Sequence, residues 1–312
     1  MEKAKPFIKW AGGKSKLLSQ LDALLPADFA ERRNIQYVEP FVGGGAMLFY
    51  LLQTYPNITA ALINDINPDL ATCYKVVRDN PADLIKSLEQ IQTEYYALHD
   101  EALRKTFFLK QRERFNSKPS DPIENTTLFI FLNKTCFNGL YRVNKSGRFN
   151  VPFGRYSRPN ICDAETIMAD SELLQKVEIM TGDFEQTFSR IGRDTFFYFD
   201  PPYRPISATS NFTDYAKESF NDDEQIRLKL FCDKLNDCDI QFMLSNSDSP
   251  GTNTDSGFFD CLYAGYGIER VWASRSVNSI ATKRNKITEI VVRNYSVSQQ
   301  HSTTNLHTSL QS

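Results

Sequence analysis

The sequence predicts an α/β fold, on three observations. Short apolar runs recur at residues 35–38, 60–63, 177–180, 195–199, 240–244 and 287–295; helix-like stretches separate them; and several runs are apolar throughout, as strands covered on both faces of a parallel sheet must be. With 312 residues, 41% hydrophobic and 24% charged, the chain can bury one large core or two ordinary ones. This mixture excludes disordered, fibrous and membrane-embedded classes. No run approaches the ~18 consecutive apolar residues of a membrane span, and the charged start MEKAKPFIKW offers no signal-like stretch, so the expected location is cytoplasmic. Six scattered cysteines without a C-x-x-C pair and three histidines, two of them in the tail, predict free thiols and no metal site.

The first turn, Gly12-Gly13-Lys14-Ser15, ends like a phosphate-binding P-loop, but the glycine required five residues before Gly13 is Ile8. A nucleoside triphosphatase is therefore disfavoured, and Lys14 is left as a cation beside a flexible turn. The run at 35–38 leads into Glu39-Pro-Phe41-Val-Gly43-Gly-Gly45 and then a helix at 46–53, a geometry in which a ligand can approach bare backbone. Leu48 replaces the third glycine of a dinucleotide fingerprint. Asp65 ends the next strand, 20 residues beyond Gly45. There its carboxylate either accepts ribose hydroxyls or caps the helix that starts near Pro68. Strand, glycine turn, helix, strand and acidic tip together indicate an adenosine-containing cofactor.

Between residues 68 and 158 the alternation lapses, which predicts an inserted, mainly helical domain dividing an α/β body of residues 1–67 and 159–295. Inside it, residues 141–151 form two β-capable arms around 144–147, with Gly147 able to supply a positive φ: a β-hairpin. The strand at 195–199 runs directly into Asp200-Pro201-Pro202-Tyr203. Two prolines remove two N–H donors, so backbone carbonyls and the Asp200 carboxylate make a site of acceptors only. Such a site suits an amino group, which offers two donors; holding both hydrogens frees the nitrogen lone pair to attack an electrophilic methyl group. Tyr203 offers a flat face for a base. Beyond it, a helix over 222–238 opens with Asn221 and Glu224 as a capping box and places Ile226, Leu230 and Leu235 near one face. Residues 296–312, rich in Ser, Thr and Gln and without a charged residue, form a disordered tail.

These motifs resemble the N6-adenine DNA methyltransferases of the Dam and DpnII type, the D12 class of α order, over roughly residues 5–295. The matching segments are Phe7-Ile-Lys-Trp10-Ala-Gly-Gly-Lys14, Glu39-Pro-Phe-Val-Gly-Gly-Gly45, Asn64-Asp65-Ile-Asn67, Phe137-Asn138-Gly139-Leu140-Tyr-Arg142 through Phe149-Asn-Val-Pro152-Phe-Gly154, Gly182-Asp183-Phe184, Asp200-Pro-Pro-Tyr203 and Ser245-Asn246-Ser-Asp248. The resemblance implies a Rossmann-like, seven-stranded, mostly parallel sheet with an antiparallel C-terminal strand. It implies S-adenosylmethionine as methyl donor, S-adenosylhomocysteine as product and no metal. Trp10, Lys14, Phe41, Gly43, Gly45, Asp65, Asp183 and Phe184 would hold the cofactor, Lys14 by its carboxylate, and Asp200 would touch both cofactor and base. Phe137, Asn138, Leu140, Arg142 and Pro152 would read double-stranded DNA, Arg142 by a bidentate contact to guanine, with Lys145 and Arg148 either on the bases or else on phosphate or in solvent. Phe137 stands where Dam-like enzymes usually carry tyrosine, so the aromatic wedge is kept and its hydroxyl is lost. The expected reaction is methylation of adenine N6 in GATC by a monomer, through base flipping and in-line transfer. The motifs serve restriction-modification, phage and housekeeping enzymes alike. Methylation of an RNA or protein amino group, and an inactive DNA-binding regulator, are the alternatives.

The charge distribution agrees with a DNA partner. Although the chain carries 36 basic against 38 acidic residues, residues 101–158 hold 12 against 4 and the remainder 24 against 34. Residues 133–158 contain six basic residues and no acid, and Arg270, Arg275, Lys283, Arg284 and Lys286 form a second acid-free run. Such surfaces bind duplexes through counterion release.

Overall fold

The computed structural model describes residues 3–204, 220–248, 257–273 and 287–297. Its centre is a seven-stranded sheet of order β3-β2-β1-β4-β5-β7-β6. The strands are β1 (Ile35–Glu39), β2 (Ile58–Asp65), β3 (Val177–Thr181), β4 (Thr195–Phe199), β5 (Gln241–Ser247), β6 (Gly267–Ala273) and β7 (Ile287–Arg293). Pairings among β1 to β5 are parallel, and β7 runs antiparallel to both β5 and β6. This is the mostly parallel Rossmann-like sheet expected from the motifs. All five residues of β4 are buried, as its unbroken apolar run Thr-Phe-Phe-Tyr-Phe predicts for a central strand.

Six strands coincide with the six apolar runs, whereas β6 had no such signal. Its residues Gly-Ile-Glu-Arg-Val-Trp-Ala mix charge with exposed Trp272, as suits an edge strand. That edge is partly closed by Gln20, whose side-chain amide exchanges two hydrogen bonds with the Trp272 backbone, at 3.0 and 3.1 Å.

Helices α1 (Leu18–Asp22), α2 (Ala46–Thr54) and α3 (Pro68–Asp79) cover the first strands; α4 (Pro81–Tyr96), α5 (Glu101–Asn116) and α6 (Pro122–Thr135) build the insertion. Helices α7 (Ala164–Leu174), α8 (Asp222–Asp237) and α9 (Phe258–Leu262) follow. Helix α3 packs on β2 and β3 as well as on α4, α6 and α7. One core therefore runs from Ile63 through Tyr74 to Phe108, Phe131 and Phe149, crossing the division expected at residue 68. No described helix is long and apolar enough to cross a membrane.

The hairpin folds back through two antiparallel bridges, Cys136 with Phe153 and Val143 with Phe149. Its turn closes by Gly147 N–H on Asn144 O, 2.8 Å, with Gly147 at φ +71°. Helix α8 begins at Asn221, whose side chain accepts from Glu224 N–H. Its apolar face differs from the sequence reading. Gln225, Leu228, Phe231, Cys232 and Leu235 are buried, while Ile226 and Leu230 are exposed. Ile226 lies nine residues before Leu235, and nine steps of ~100° end half a turn away, so the two cannot share a face.

Candidate active site

The parallel strands all deliver their C-terminal ends to one edge of the sheet, and β7 delivers its N-terminal end there because it runs backwards. Along this edge lies a cleft of 990 Å³. Its lining joins Trp10 and Lys14 from the N-terminal loop, Glu39, Phe41 and the three glycines after β1, Asp65 after β2, and Asp200, Pro201, Pro202 and Tyr203 after β4. Tyr141, Val143 and Gly147 of the hairpin region line the same cleft. The structure thus brings the glycine loop, the Asp-Pro-Pro-Tyr turn and the hairpin around one space.

The glycine loop is held open by left-handed backbone at Gly43 and Gly45, φ +48° and +72°, which a side chain would strain. Trp10 fills the space that a Cβ on Gly43 would need. Asp65 accepts from Gly43 N–H at 3.2 Å and from Asn67 N–H at 2.9 Å. The helix cap is Asn67, which accepts from Asp69 and Leu70 N–H, so Asp65 is released from the capping role open to it in the sequence. Burial pushes the Asp65 carboxyl above its ordinary range against those two donors. Glu39 is buried deeper, takes the Tyr37 hydroxyl at 2.7 Å, and is raised well above a normal carboxyl by burial.

At the other end of the cleft, Lys14 is 3% exposed, and its ammonium group meets three oxygens. Asp200 Oδ1 and Glu289 Oε2 are each 2.9 Å away and Tyr203 Oη 2.5 Å. Lys14 therefore ties the Asp-Pro-Pro-Tyr turn to β7 directly, through ion pairs to Asp200 and Glu289 and a hydrogen bond to Tyr203. Burial raises the Asp200 carboxyl to about 6 although Lys14 pulls it down. Ser245 supports it, its hydroxyl 2.9 Å from Tyr198 Oη and 3.5 Å from Asp200 Oδ1. The Pro202 carbonyl accepts from Gln225 at 3.3 Å, and Gln225 in turn accepts from Asn246 at 3.2 Å. Tyr203 leaves 39% of its surface exposed beside the cleft.

Asp183 and Phe184 stand behind this space. Phe184 is buried against Phe41, Phe220 and Phe231, with ring centroids 5.3 to 6.2 Å apart. Asp183 caps the short 3-10 helix Phe184–Arg190 and pairs with Arg227 at 2.6 Å. Phe184 meets the cleft through Phe41, and neither Asp183 nor Phe184 lines it.

All seven predicted DNA-facing residues, Phe137, Asn138, Leu140, Arg142, Lys145, Arg148 and Pro152, are exposed on the hairpin and its base. Phe137 and Leu140 are large apolar groups 53% and 40% exposed. Asn150 Oδ1 holds Arg142 by its Nε at 2.7 Å, and Arg148 pairs with Glu113. Of the second basic run, Arg270 pairs with Asp248 and Asp260, at 2.9 and 2.8 Å; its other members, and residues 298–312 of the tail, lie outside the described residues. All six cysteines are free thiols.

Reading from residues alone missed Glu289, Tyr198 and Gln225. The available signal for Glu289 was a lone acid within the apolar run of β7; Gln225 is a buried amide on a helix otherwise packed by apolar side chains.

A sheet of this order, with a glycine loop after β1 and an all-acceptor turn after β4, defines a Rossmann-like methyltransferase. The model of D12 class N6 adenine-specific DNA methyltransferases matches residues 10–277. The chain is 48% identical to the type II methyltransferase M.MjaIII of Methanocaldococcus jannaschii, covering 93% of this chain and 99% of that one. It is 39% identical to the type II methyltransferase M1.LlaDCHI of Lactococcus lactis subsp. cremoris, with 93% and 95% covered. Against a DNA adenine methylase of Vibrio cholerae the identity is 34%, with 93% and 96% covered. The chain belongs to the D12 class family and is an adenine-specific DNA methyltransferase.

Proposed function

We propose that the protein transfers a methyl group from S-adenosylmethionine to adenine N6 in double-stranded DNA, at GATC, by base flipping and direct in-line transfer. The observation that carries this reading is the shared cleft, lined by the glycine loop, by Asp200 to Tyr203 and by Val143 and Gly147 of the exposed hairpin.

The residues present suit the cofactor. Asp65 places a carboxylate in the cleft opposite bare glycine backbone, as ribose hydroxyls require, and Trp10 and Phe41 supply apolar wall. Bound there, S-adenosylmethionine supplies an electrophilic methyl group. The Asp200 carboxylate and the Pro201 carbonyl accept the two hydrogens of the amino group, which localises the lone pair on N6. Tyr203 stacks on the extruded base. Phe137, exposed beside the hairpin, wedges into the duplex, Leu140 contacts a base, and Arg142, fixed by Asn150, contacts guanine.

Incubation with labelled S-adenosylmethionine and duplexes that contain or lack GATC, followed by nucleoside analysis, tests the proposal. N6-methyladenine confined to GATC duplexes is the expected result. Label in cytosine refutes the reaction, and equal labelling of duplexes without GATC refutes the site.

A further inference from the structure

Glu289 is the acid within the apolar strand β7, 9% exposed and far in sequence from every recognised motif. We propose that it is a positioning residue of the methyl-transfer centre, holding Lys14 and Tyr203 in the arrangement that keeps Asp200 available as an acceptor. The inference rests on the function proposed above.

Each oxygen of Glu289 has its own partner. Oε2 lies 2.9 Å from Lys14 Nζ, and Oε1 accepts from the Tyr203 hydroxyl at 2.9 Å. The phenol oxygen also accepts from Lys14, so Lys14, Tyr203 and Glu289 form a closed three-membered ring of contacts with Asp200 attached at the lysine. Two consequences follow from elementary chemistry. First, the ring fixes Tyr203 at its polar end, so the half-exposed aromatic face is presented in one orientation before any base arrives. Second, Glu289 shares the lysine cation with Asp200. Without that competitor Lys14 would pair with Asp200 alone, and the acceptor for the amino hydrogens would be neutralised. One cation against two carboxylates leaves the centre with a net negative charge, which favours a nitrogen that gains positive charge as it bonds to carbon.

The groups facing Asp200 come from every element around it: Lys14 from the N-terminal loop, Tyr37 and Glu39 from β1, Tyr198 and Tyr203 from β4 and its turn, Ser245 from β5 and Glu289 from β7. Among them Glu289 raises the Asp200 carboxyl and Lys14 lowers it. Removing the Glu289 charge should therefore let Asp200 ionise more easily.

The test compares Glu289→Gln, Glu289→Ala, Tyr203→Phe and the Glu289→Ala/Tyr203→Phe double variant of the full chain on a GATC duplex with saturating S-adenosylmethionine. For Glu289→Ala, kcat should fall roughly tenfold to a hundredfold while the DNA Kd stays within about twofold of the parent, because the hairpin is untouched. The two single effects should not multiply in the double variant, since both substitutions open the same ring of contacts. Glu289→Gln, isosteric and still an acceptor for Tyr203, should fold as the parent does and shift the acid limb of kcat to lower pH. A Glu289→Ala kcat within about twofold of the parent overturns the inference, as does multiplication of the two single effects or an unmoved acid limb in Glu289→Gln. Failure of the parent to methylate DNA adenine overturns the functional proposal as well, which separates the two.

Discussion

Gly43→Ala asks whether backbone of the glycine loop is itself a wall of the cofactor site. Gly43 sits at φ +48°, and a Cβ there would stand 2.7 Å from Trp10 Cδ1 and 3.0 Å from Nε1. Trp10 is backed by Phe129 and Tyr141, with ring centroids 6.4 and 5.7 Å away, so moving it off Gly43 disturbs that packing. Left-handed backbone costs an alanine ~1–2 kcal/mol, and forcing a methyl group into packed surroundings adds ~1–3 kcal/mol. Gly12 provides the control. It has φ +78° with nothing within 4 Å of its Cβ position, so Gly12→Ala carries only the backbone cost. The combined loss of stability and cofactor affinity should therefore be larger for Gly43→Ala than for Gly12→Ala by ~1–3 kcal/mol. If it all appears in binding, the excess is roughly fivefold to a hundredfold in Kd for S-adenosylmethionine. Thermal unfolding and calorimetric titration of both variants measure the two parts. Equal total losses would refute the assignment of Trp10 and Gly43 to one rigid wall.

Methyl transfer should lose activity on the acid side with a midpoint near the Asp200 value of about 6. Below it the carboxyl is protonated and no longer a pure acceptor, and kcat should fall about tenfold per pH unit; a flat profile down to pH 5 would count against the role of Asp200. Buried Asp170, raised by burial to about 8, accepts from Lys5 N–H at 3.0 Å. Its folded pKa lies above the unfolded value of ~3.9, so from about pH 4 to 8 the unfolded chain has released a proton that the folded chain keeps, and stability declines by ~1.4 kcal/mol per unit. Asp170→Asn keeps the acceptor and removes that slope, so urea unfolding should show it stabilised relative to the parent at pH 8 and far less so at pH 5. Arg142→Ala should cost ~1–3 kcal/mol in discrimination at one base pair, read by competition among duplexes with single substitutions, while Lys145→Ala should weaken all duplexes alike and lower the salt slope.

Most of the sheet was legible because its central strands are buried on both faces and so are written as uninterrupted apolar runs. The edge strand β6 has one solvated flank and lacked that signature. The glycine loop and the Asp-Pro-Pro-Tyr turn were equally legible, since glycine and proline mark backbone requirements directly. Contacts that form only in three dimensions were not. Nothing along the chain links Lys14 to Glu289; the reversed direction of β7 brings them together. Asp65 had two readings in the sequence, and the placement of Asn67 as the cap removes the capping one. The position of helix α8 is legible in its capping box but its buried face is not, because the apolar residues Ile226 and Leu230 face solvent and the buried stripe includes the amide Gln225.

Trp10 belongs at once to the cleft and to an aromatic stack through Tyr141 to Phe149 and Phe115 under the hairpin. Packed rings and exposed polar side chains thus alternate on one short segment. Tyr141 and Phe149 are packed into that stack, whereas Asn138, Arg142, Lys145 and Arg148 are exposed. On the proposed reading, exchanging the outward residues changes the target sequence while the packed rings and the chemical centre stay as they are. For the same reason, a library that randomises only the outward positions should return altered sites with the reaction intact.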